Sequence, residues 1–189
     1  VAAMGEMAMF VTHQLRNPLV TIGGFADQLL DPQIGEKKKK RNIQIIRSEI
    51  RRLEKILLRL SQFFRIDVRE KVAVDVQDML NLVQESVRAR IAGRRITLDM
   101  EIEAGLCVIL CDPIHVGEAI RNVLDNAVDA VGNEGRIDLR AYRENAEWAV
   151  IAVEDTGKGI PGAVRDKIFD SFVSTKERGM GLGLAYVKR

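Results

Sequence analysis

Two heptad patterns in the first third of the chain restrict its fold more than any other feature. In two separate stretches, apolar residues recur at alternating steps of three and four, which places one apolar stripe along each of two helices. The first stripe comprises Met4, Ala8, Val11, Leu15, Pro18, Ile22, Phe25 and Leu29, and the second comprises Ile43, Ile46, Ile50, Leu53, Leu57, Leu60 and Phe64. The sequence DPQIG at residues 31–35 separates them with turn-forming residues. Residues 1–66 are therefore predicted to form a helical hairpin.

A single hairpin has too little surface to bury both stripes, because Ile45, Ile56 and Phe63 add further apolar side chains beside them. Two hairpins can bury these side chains together in a four-helix bundle. We therefore expect a homodimer held by residues 1–66.

From residue 72 onward, strand and helix patterns are mixed without regular alternation. VDVQDMLNLVQESVRARIA predicts a short strand and an amphipathic helix, and RITLDMEIE alternates like a half-buried strand. LCVILCDP predicts a strand leading into a helix that Asp112 can cap, with Pro113 in its first turn. GRIDLRAYRE and EWAVIAVED predict a β-hairpin. The whole chain is thus α+β: the hairpin, a linker at residues 65–71, and an α/β sandwich within residues 67–189.

Composition excludes several classes of protein. The chain has 29 basic and 27 acidic residues, a net charge of +2, and two cysteines. The basic run at residues 37–41 lacks interleaved aromatic residues, so we expect no nucleic-acid partner. No apolar stretch approaches the roughly 20 residues that span a membrane, so we expect no membrane contact from this part of the protein. The chain begins and ends inside helical patterns, and we expect it to be part of a longer protein.

Three residues share one face of the predicted helix GEAIRNVLDNAVDAV. Glu118, Asn122 and Asn126 are spaced by four. Asparagine is unfavourable inside a helix, yet this row by itself could be an ordinary polar surface stripe.

Two glycine-containing segments follow. In EDTGKGI, an acid at a strand end precedes Gly157 and Gly159, which offers a hydrogen-bond acceptor beside backbone that a flat ligand can approach, although an ordinary turn would look similar. In STKERGMGLGLAYV, bare backbone N–H groups before a helix suit phosphate oxygens, and Lys176 adds positive charge. The segment is neither a Walker A loop nor a Rossmann fingerprint.

Taken in order, NVLDNAVDA, DTGKGI, IFDSFVSTK and GMGLGL resemble the N, G1, F and G2 boxes of the histidine kinase ATP-binding domain, and THQLRNPL resembles the H box of the same family. The five motifs extend over almost the whole chain. The resemblance implies a Bergerat-type nucleotide fold, the α/β sandwich of histidine kinase ATPases, for residues 67–189. That domain normally continues past the G2 helix with further strands, which either follow residue 189 in a longer protein or are absent.

The resemblance also assigns the nucleotide-binding residues. Asn126 would bind Mg²⁺ and Asn122 would support the metal and the phosphates of ATP. Asp155 would accept the adenine amino group. The remaining residues implied to bind the nucleotide are Gly157, Gly159, Thr175, Lys176, Gly179, Gly181 and Gly183. Related ATP-hydrolysing families carry glutamate where this chain has Asn122, and asparagine cannot act as a general base for water.

The first stripe turns His13 outward, which disfavours a core histidine, and no partner lies at metal-ligand spacing. The resemblance makes His13 the phosphoacceptor, with Nε2 attacking the γ-phosphate. Family members usually carry an acid next, whereas this chain has Gln14, whose amide oxygen can accept a hydrogen bond from Nδ1 but cannot take a proton. Asn17 would position water for a phosphatase reaction, or would be a solvated helix residue.

The resemblance therefore implies a cytoplasmic, ATP- and Mg²⁺-dependent histidine kinase core. It would phosphorylate itself on His13 and pass the phosphoryl group to an aspartate of a response regulator receiver domain. Residues 1–66 would be its dimerisation and phosphotransfer domain. Because of Gln14, a nucleotide-binding dimeric switch with little kinase activity is the alternative.

Overall fold

The computed structural model describes residues 2–64, 70–176 and 179–188. The chain divides into two compact units, Val1–Ile66 and Asp67–Arg189. Most of the predicted linker, residues 65–69, lies outside the described residues, as do the side chains at the predicted stripe positions Met4, Ala8 and Phe64.

The first unit is the predicted helical hairpin of α1 (Ala2–Leu29) and α2 (Glu36–Phe64). The predicted turn separates the helices, and it is closed by hydrogen bonds from Gln33 N–H to Asp31 Oδ1 (2.9 Å) and from Ile34 N–H to Asp31 O (3.1 Å). Helix α1 runs through Pro18, whose side chain is fully buried.

Only part of the predicted stripe of α2 packs within the hairpin. Among the side chains of α2 that the structure describes, Asn42, Ile56 and Leu60 are buried, and Asn42 donates a hydrogen bond to Gln28 Oε1 on α1 (3.2 Å). By contrast, three residues of the predicted stripe, spaced by seven, are exposed: Ile43 by 42%, Ile50 by 43% and Leu57 by 54%. Helix α2 carries two adjacent apolar faces and only one of them faces α1, so burial of these three residues between two hairpins stays a prediction.

The second unit combines two small sheets with helices. Its strands are β1 (Val72–Asp75), β2 (Arg95–Ile102), β3 (Val108–Cys111), β4 (Glu134–Arg143) and β5 (Ala149–Asp155). Its helices are α3 (Val76–Ile91), α4 (Pro113–Val131), α5 (Gly162–Arg165) and α6 (Gly183–Val187). Strands β1 and β3 pair antiparallel, while the second sheet has the order β2-β4-β5, with β2 parallel and β5 antiparallel to β4. The α+β architecture and the predicted β4–β5 hairpin are confirmed.

Helices α3 and α4 pack their apolar faces on the β2-β4-β5 sheet. The core joins Leu80 of α3 and Leu124 of α4 to Ile137 and Leu139 of β4, and all four side chains are fully buried. Strand β2 alternates exposed and partly buried residues, as its sequence predicts. Asp112 caps α4 by accepting hydrogen bonds from the next turn, which confirms the predicted helix start. This packing fixes the face of α4 that carries the asparagines.

Within the described ranges, no helix is both long enough and apolar enough to cross a membrane.

Candidate functional site

Helix α4 directs two amide oxygens towards the glycine-rich segment. Asn122 Nδ2 donates to the carbonyl of Glu118 one turn earlier (2.9 Å). This bond orients the other end of the amide, so that a Cβ added to Gly183 would lie 3.0 Å from Asn122 Oδ1. One turn further along, Asn126 Oδ1 accepts a hydrogen bond from Lys176 Nζ (2.9 Å). Tertiary structure thus brings the predicted N box and the predicted phosphate-binding residues together.

Lys176 has a second partner that the sequence reasoning missed. Its Nζ also donates to Asp129 Oδ2 (2.6 Å), and Asp129 Oδ1 accepts a hydrogen bond from Arg90 of α3 (2.7 Å). Arg90 also pairs with Asp125. Asp129 lies three residues after Asn126, so its helical spacing could have identified it, whereas no local pattern links it to Arg90.

The two cations determine the charge state of Asp129. Burial raises the pKa of this carboxyl group, but the hydrogen bond and charge of Lys176, together with those of Arg90, lower it below its ordinary value. Burial lowers the pKa of Arg90 in turn, and its two aspartate partners raise it above the ordinary value. Asp129 is therefore a carboxylate and Arg90 a guanidinium cation at neutral pH.

Asp155 ends β5, and the loop behind it packs against α4. Asp155 Oδ1 accepts a hydrogen bond from Gly157 N–H (2.8 Å), and the carboxylate keeps further acceptor capacity for a ligand donor. A Cβ on Gly157 would lie 2.5 Å from the carbonyl carbon of Ala130, so only glycine fits this close to the helix. Gly159 has a φ of +69° and open space around it. The structure therefore explains Gly157 by packing, and a role in admitting adenine stays a prediction.

The glycine-rich segment folds back on the residues that precede it. A Cβ on Gly179 would lie 2.1 Å from Ser174 Oγ, so a larger residue would require the serine hydroxyl to move. Gly181 has a φ of +63° and its carbonyl accepts a hydrogen bond from Phe172 N–H (2.9 Å). Thr175 is exposed beside Lys176. Of the glycines in this segment, Gly183 lies beside Asn122 of α4. The contacts of these residues with a nucleotide stay a prediction.

The side chains fit a Mg²⁺ ion held mainly by a nucleotide. In the part of the chain that the structure describes, no three His, Cys, Asp or Glu side chains form a group able to hold a metal. Mg²⁺ prefers oxygen ligands and commonly combines one protein ligand with phosphates and waters. Asn126 Oδ1 is a neutral oxygen that accepts a hydrogen bond from the ammonium group of Lys176. It is thus the residue that would hold the ion.

The predicted phosphoacceptor lies on the first unit. His13 is exposed on α1, which confirms that the stripe turns it outward, and Gln14 is half-buried. Asn17 is exposed, and its carbonyl accepts a hydrogen bond from Thr21 Oγ1 (3.1 Å). Pro18 has no N–H to offer the carbonyl of Gln14. An exposed imidazole is accessible to a phosphoryl donor.

The other histidine has a structural position. His115 Nδ1 lies 2.7 Å from Asp112 Oδ2, and its ring stacks on Tyr186 of α6 at 6.2 Å between centroids. His115 thus connects the start of α4 to α6, and its contact with Asp112 is part of the helix cap.

Two protein families match this chain. Residues 3–69 match the His Kinase A (phospho-acceptor) domain, and residues 111–189 match the histidine kinase-, DNA gyrase B- and HSP90-like ATPase family. The match to the first family contains His13, and the match to the second contains the α4 face and the glycine-rich segment.

Known proteins resemble the chain along most of its length. The sensor histidine kinase ZraS of Klebsiella oxytoca is 31% identical over 100% of the chain and 41% of the relative. The sensory histidine kinase/phosphatase NtrB of Rhodobacter capsulatus is 30% identical over 97% of the chain and 54% of the relative. The solved structure of the histidine kinase ThkA in complex with the response regulator TrrA has a TM-score of 0.75 and 25% identity, covering 92% of this chain and 52% of that one.

These relatives are longer than the chain, which spans 41% of ZraS and 54% of NtrB. Both family matches and the arrangement of the α4 face agree with the motifs read from the sequence. The chain belongs to the sensor histidine kinases of two-component systems, of which it contains the phosphoacceptor domain and the ATPase domain.

Proposed function

We propose that the chain is a kinase core that transfers the γ-phosphoryl group of ATP to His13 and then to an aspartate of a response regulator. The observation that carries this proposal is the α4 face, where Asn122 and Asn126 point their amide oxygens at Gly183 and Lys176. The family membership and the complex of ThkA with a response regulator support the choice of substrate and partner. The domain boundaries that we propose are residues 1–66 for phosphotransfer and 67–189 for nucleotide binding.

In the proposed reaction, the Nε2 lone pair of neutral His13 attacks the γ-phosphorus. The Nε2–P bond forms as the bond to the bridging oxygen breaks, and ADP leaves. The ring is then an imidazolium, and its Nδ1 proton can be held by the amide oxygen of Gln14 before it passes to water. A bound Mg²⁺ would neutralise phosphate charge, and Lys176 would contribute a further positive charge.

The binding assignments follow the family resemblance. Asn126 would hold Mg²⁺ and Asn122 would support the metal and the phosphates, while Asp155 would accept a hydrogen bond from the adenine amino group. The residues that would line the triphosphate are Thr175, Lys176, Gly179, Gly181 and Gly183. The asparagine at position 122 favours transfer to a protein nucleophile over hydrolysis, because it cannot activate water.

The proposal includes a dimer, a phosphatase reaction and a location. The exposed row Ile43, Ile50 and Leu57 supplies an apolar face for a second copy. Asn17 lies one turn after His13 and could orient water on the phosphorylated receiver. The name of the relative NtrB couples kinase with phosphatase. We place this core in the cytoplasm, where ATP is available.

Incubation with γ-labelled ATP and Mg²⁺ tests the proposal. Acid-labile, base-stable label should appear on the wild-type chain and be absent from the His13→Ala variant, while that variant still binds ATP. Because of Gln14, the competing function is a nucleotide-binding switch, and ATP binding without label on His13 would favour it. Release of free phosphate without labelled protein would instead indicate an ATPase.

A further inference from the structure

Lys176 occupies the atom of Asn126 that Mg²⁺ would use. The oxygen that accepts its hydrogen bond, Asn126 Oδ1, is the atom through which Asn126 would bind Mg²⁺. An ammonium group and a divalent cation on one oxygen repel each other strongly at such separations. Lys176 must therefore leave Asn126 when the metal arrives.

Asp129 favours the position of Lys176 on Asn126. Its Oδ2 accepts the shorter of the two hydrogen bonds from Lys176, 2.6 Å against 2.9 Å for Asn126. Arg90 holds the other oxygen of the same carboxylate at 2.7 Å, so the acceptor is fixed in place from α3. Asp129 thus connects Lys176 to Arg90 of α3.

The neighbouring Asp125 allows the contact with Lys176 to be tested separately from the contact with Arg90. It pairs with the same Arg90, but its described contacts do not include Lys176. Asp125 therefore serves as a matched control, because its substitution disturbs the α3–α4 ion pairs without removing a partner of the lysine.

We propose that Asp129 is a positioning residue that draws Lys176 onto Asn126 and so makes the lysine compete with Mg²⁺ and withholds it from the phosphates of ATP. The inference rests on the proposed nucleotide site. Asp129 would thereby lower the affinity for nucleotide. This effect requires Lys176 and does not arise from the charge of Asp129 alone. Lys176 and Asp129 are 43% and 36% exposed, so the effect is modest.

Calorimetric titration of the chain with ATP and Mg²⁺, using the wild type, D129N, K176Q and the double variant, tests this. D129N should lower the Kd for ATP both in the wild-type and in the K176Q background. The factor should be about twofold to fivefold larger where Lys176 is present, as expected for release of a half-exposed ion pair. Plain repulsion between Asp129 and the phosphates would give equal effects in both backgrounds and would overturn the proposal. D125N should leave the Kd unchanged, and an effect equal to that of D129N would also count against it.

A second readout needs no nucleotide. The same four proteins should show a favourable coupling between positions 129 and 176 in the free energy of unfolding, because the pair exists before ligand binds. Zero coupling would contradict the inference. If ATP binds as expected but no label reaches His13, the proposed function fails while the role of Asp129 stands.

Discussion

Phe172 and Gly181 hold each other in left-handed backbone conformations, with φ values of 71° and 63°. Phe172 N–H donates to the Gly181 carbonyl at 2.9 Å, and a Cβ on Gly181 would lie 2.4 Å from the Phe172 carbonyl carbon. The contact joins the F box to the G2 box. It also requires glycine at position 181 for two separate reasons, backbone conformation and space.

Gly181→Ala should therefore lower the free energy of unfolding of the second unit by at least about 2 kcal/mol, through a strained φ and a clash with backbone. Urea unfolding followed by circular dichroism measures this. Gly162→Ala is the matched control, because its Cβ would meet no atom within 4 Å and its φ is not in the left-handed region. Equal effects of the two substitutions would contradict the steric explanation.

Gln14→Glu should raise the rate of His13 phosphorylation about fivefold at fixed ATP. A carboxylate stabilises the imidazolium that forms by about 1 kcal/mol more than an amide does, and this lowers the barrier accordingly. The rate of label incorporation at short times measures the effect. Gln44→Glu makes the same charge change on an exposed site of α2 and should leave the rate unchanged. A Gln14→Glu rate no higher than wild type would refute the argument from acidity.

Ile50→Glu should weaken the proposed dimer by at least about tenfold in Kd. The residue lies in the exposed apolar row of α2, and burying an unpaired carboxylate against a second copy is costly. Sedimentation equilibrium over a range of concentrations gives the constant. Ser48→Glu adds the same charge on a different, exposed face of α2 and should leave the dimer intact. Dimers of equal strength in both variants would place the interface elsewhere.

Asp112→Asn should flatten the loss of stability at acid pH. Burial raises the pKa of Asp112, but hydrogen bonds from the His115 ring and from the backbone N–H groups of His115 and Ile114 lower it below the ordinary value. A carboxylate with a lowered folded pKa stabilises the fold above its unfolded pKa, near about 4, and loses that contribution as the pH falls through the folded value. Asparagine keeps the helix cap but does not titrate.

Unfolding free energies measured from pH 6 down to about pH 2 provide the test, because this range spans the pKa of the unfolded carboxyl group. The wild-type curve should fall more steeply than that of Asp112→Asn. His115→Gln, which removes the ring, should also reduce the slope. Parallel curves for all three proteins would show that the pair does not carry this dependence.

The sequence by itself determined the hairpin, the strands and the order of the site motifs. Heptad spacing predicts α1 and α2, and the residues Asp112 and Pro113 mark the start of α4, because these signals are local and act within one or two helical turns. The family also follows from sequence, since its motifs are short runs in a fixed order. Helical periodicity alone is enough to place Asn122 and Asn126 on one face of α4.

Only the tertiary structure decided which groups meet. Lys176 and Asn126 are 50 residues apart, and Arg90 reaches Asp129 across 39 residues, so no local periodicity relates them. The face of α2 that contacts α1 is decided in a similar way: two adjacent apolar faces look alike in sequence, and the contact with α1 selects the one that contains Asn42. Local patterns fix the conformation of each element, whereas the side-chain packing between elements fixes the partners of each charge.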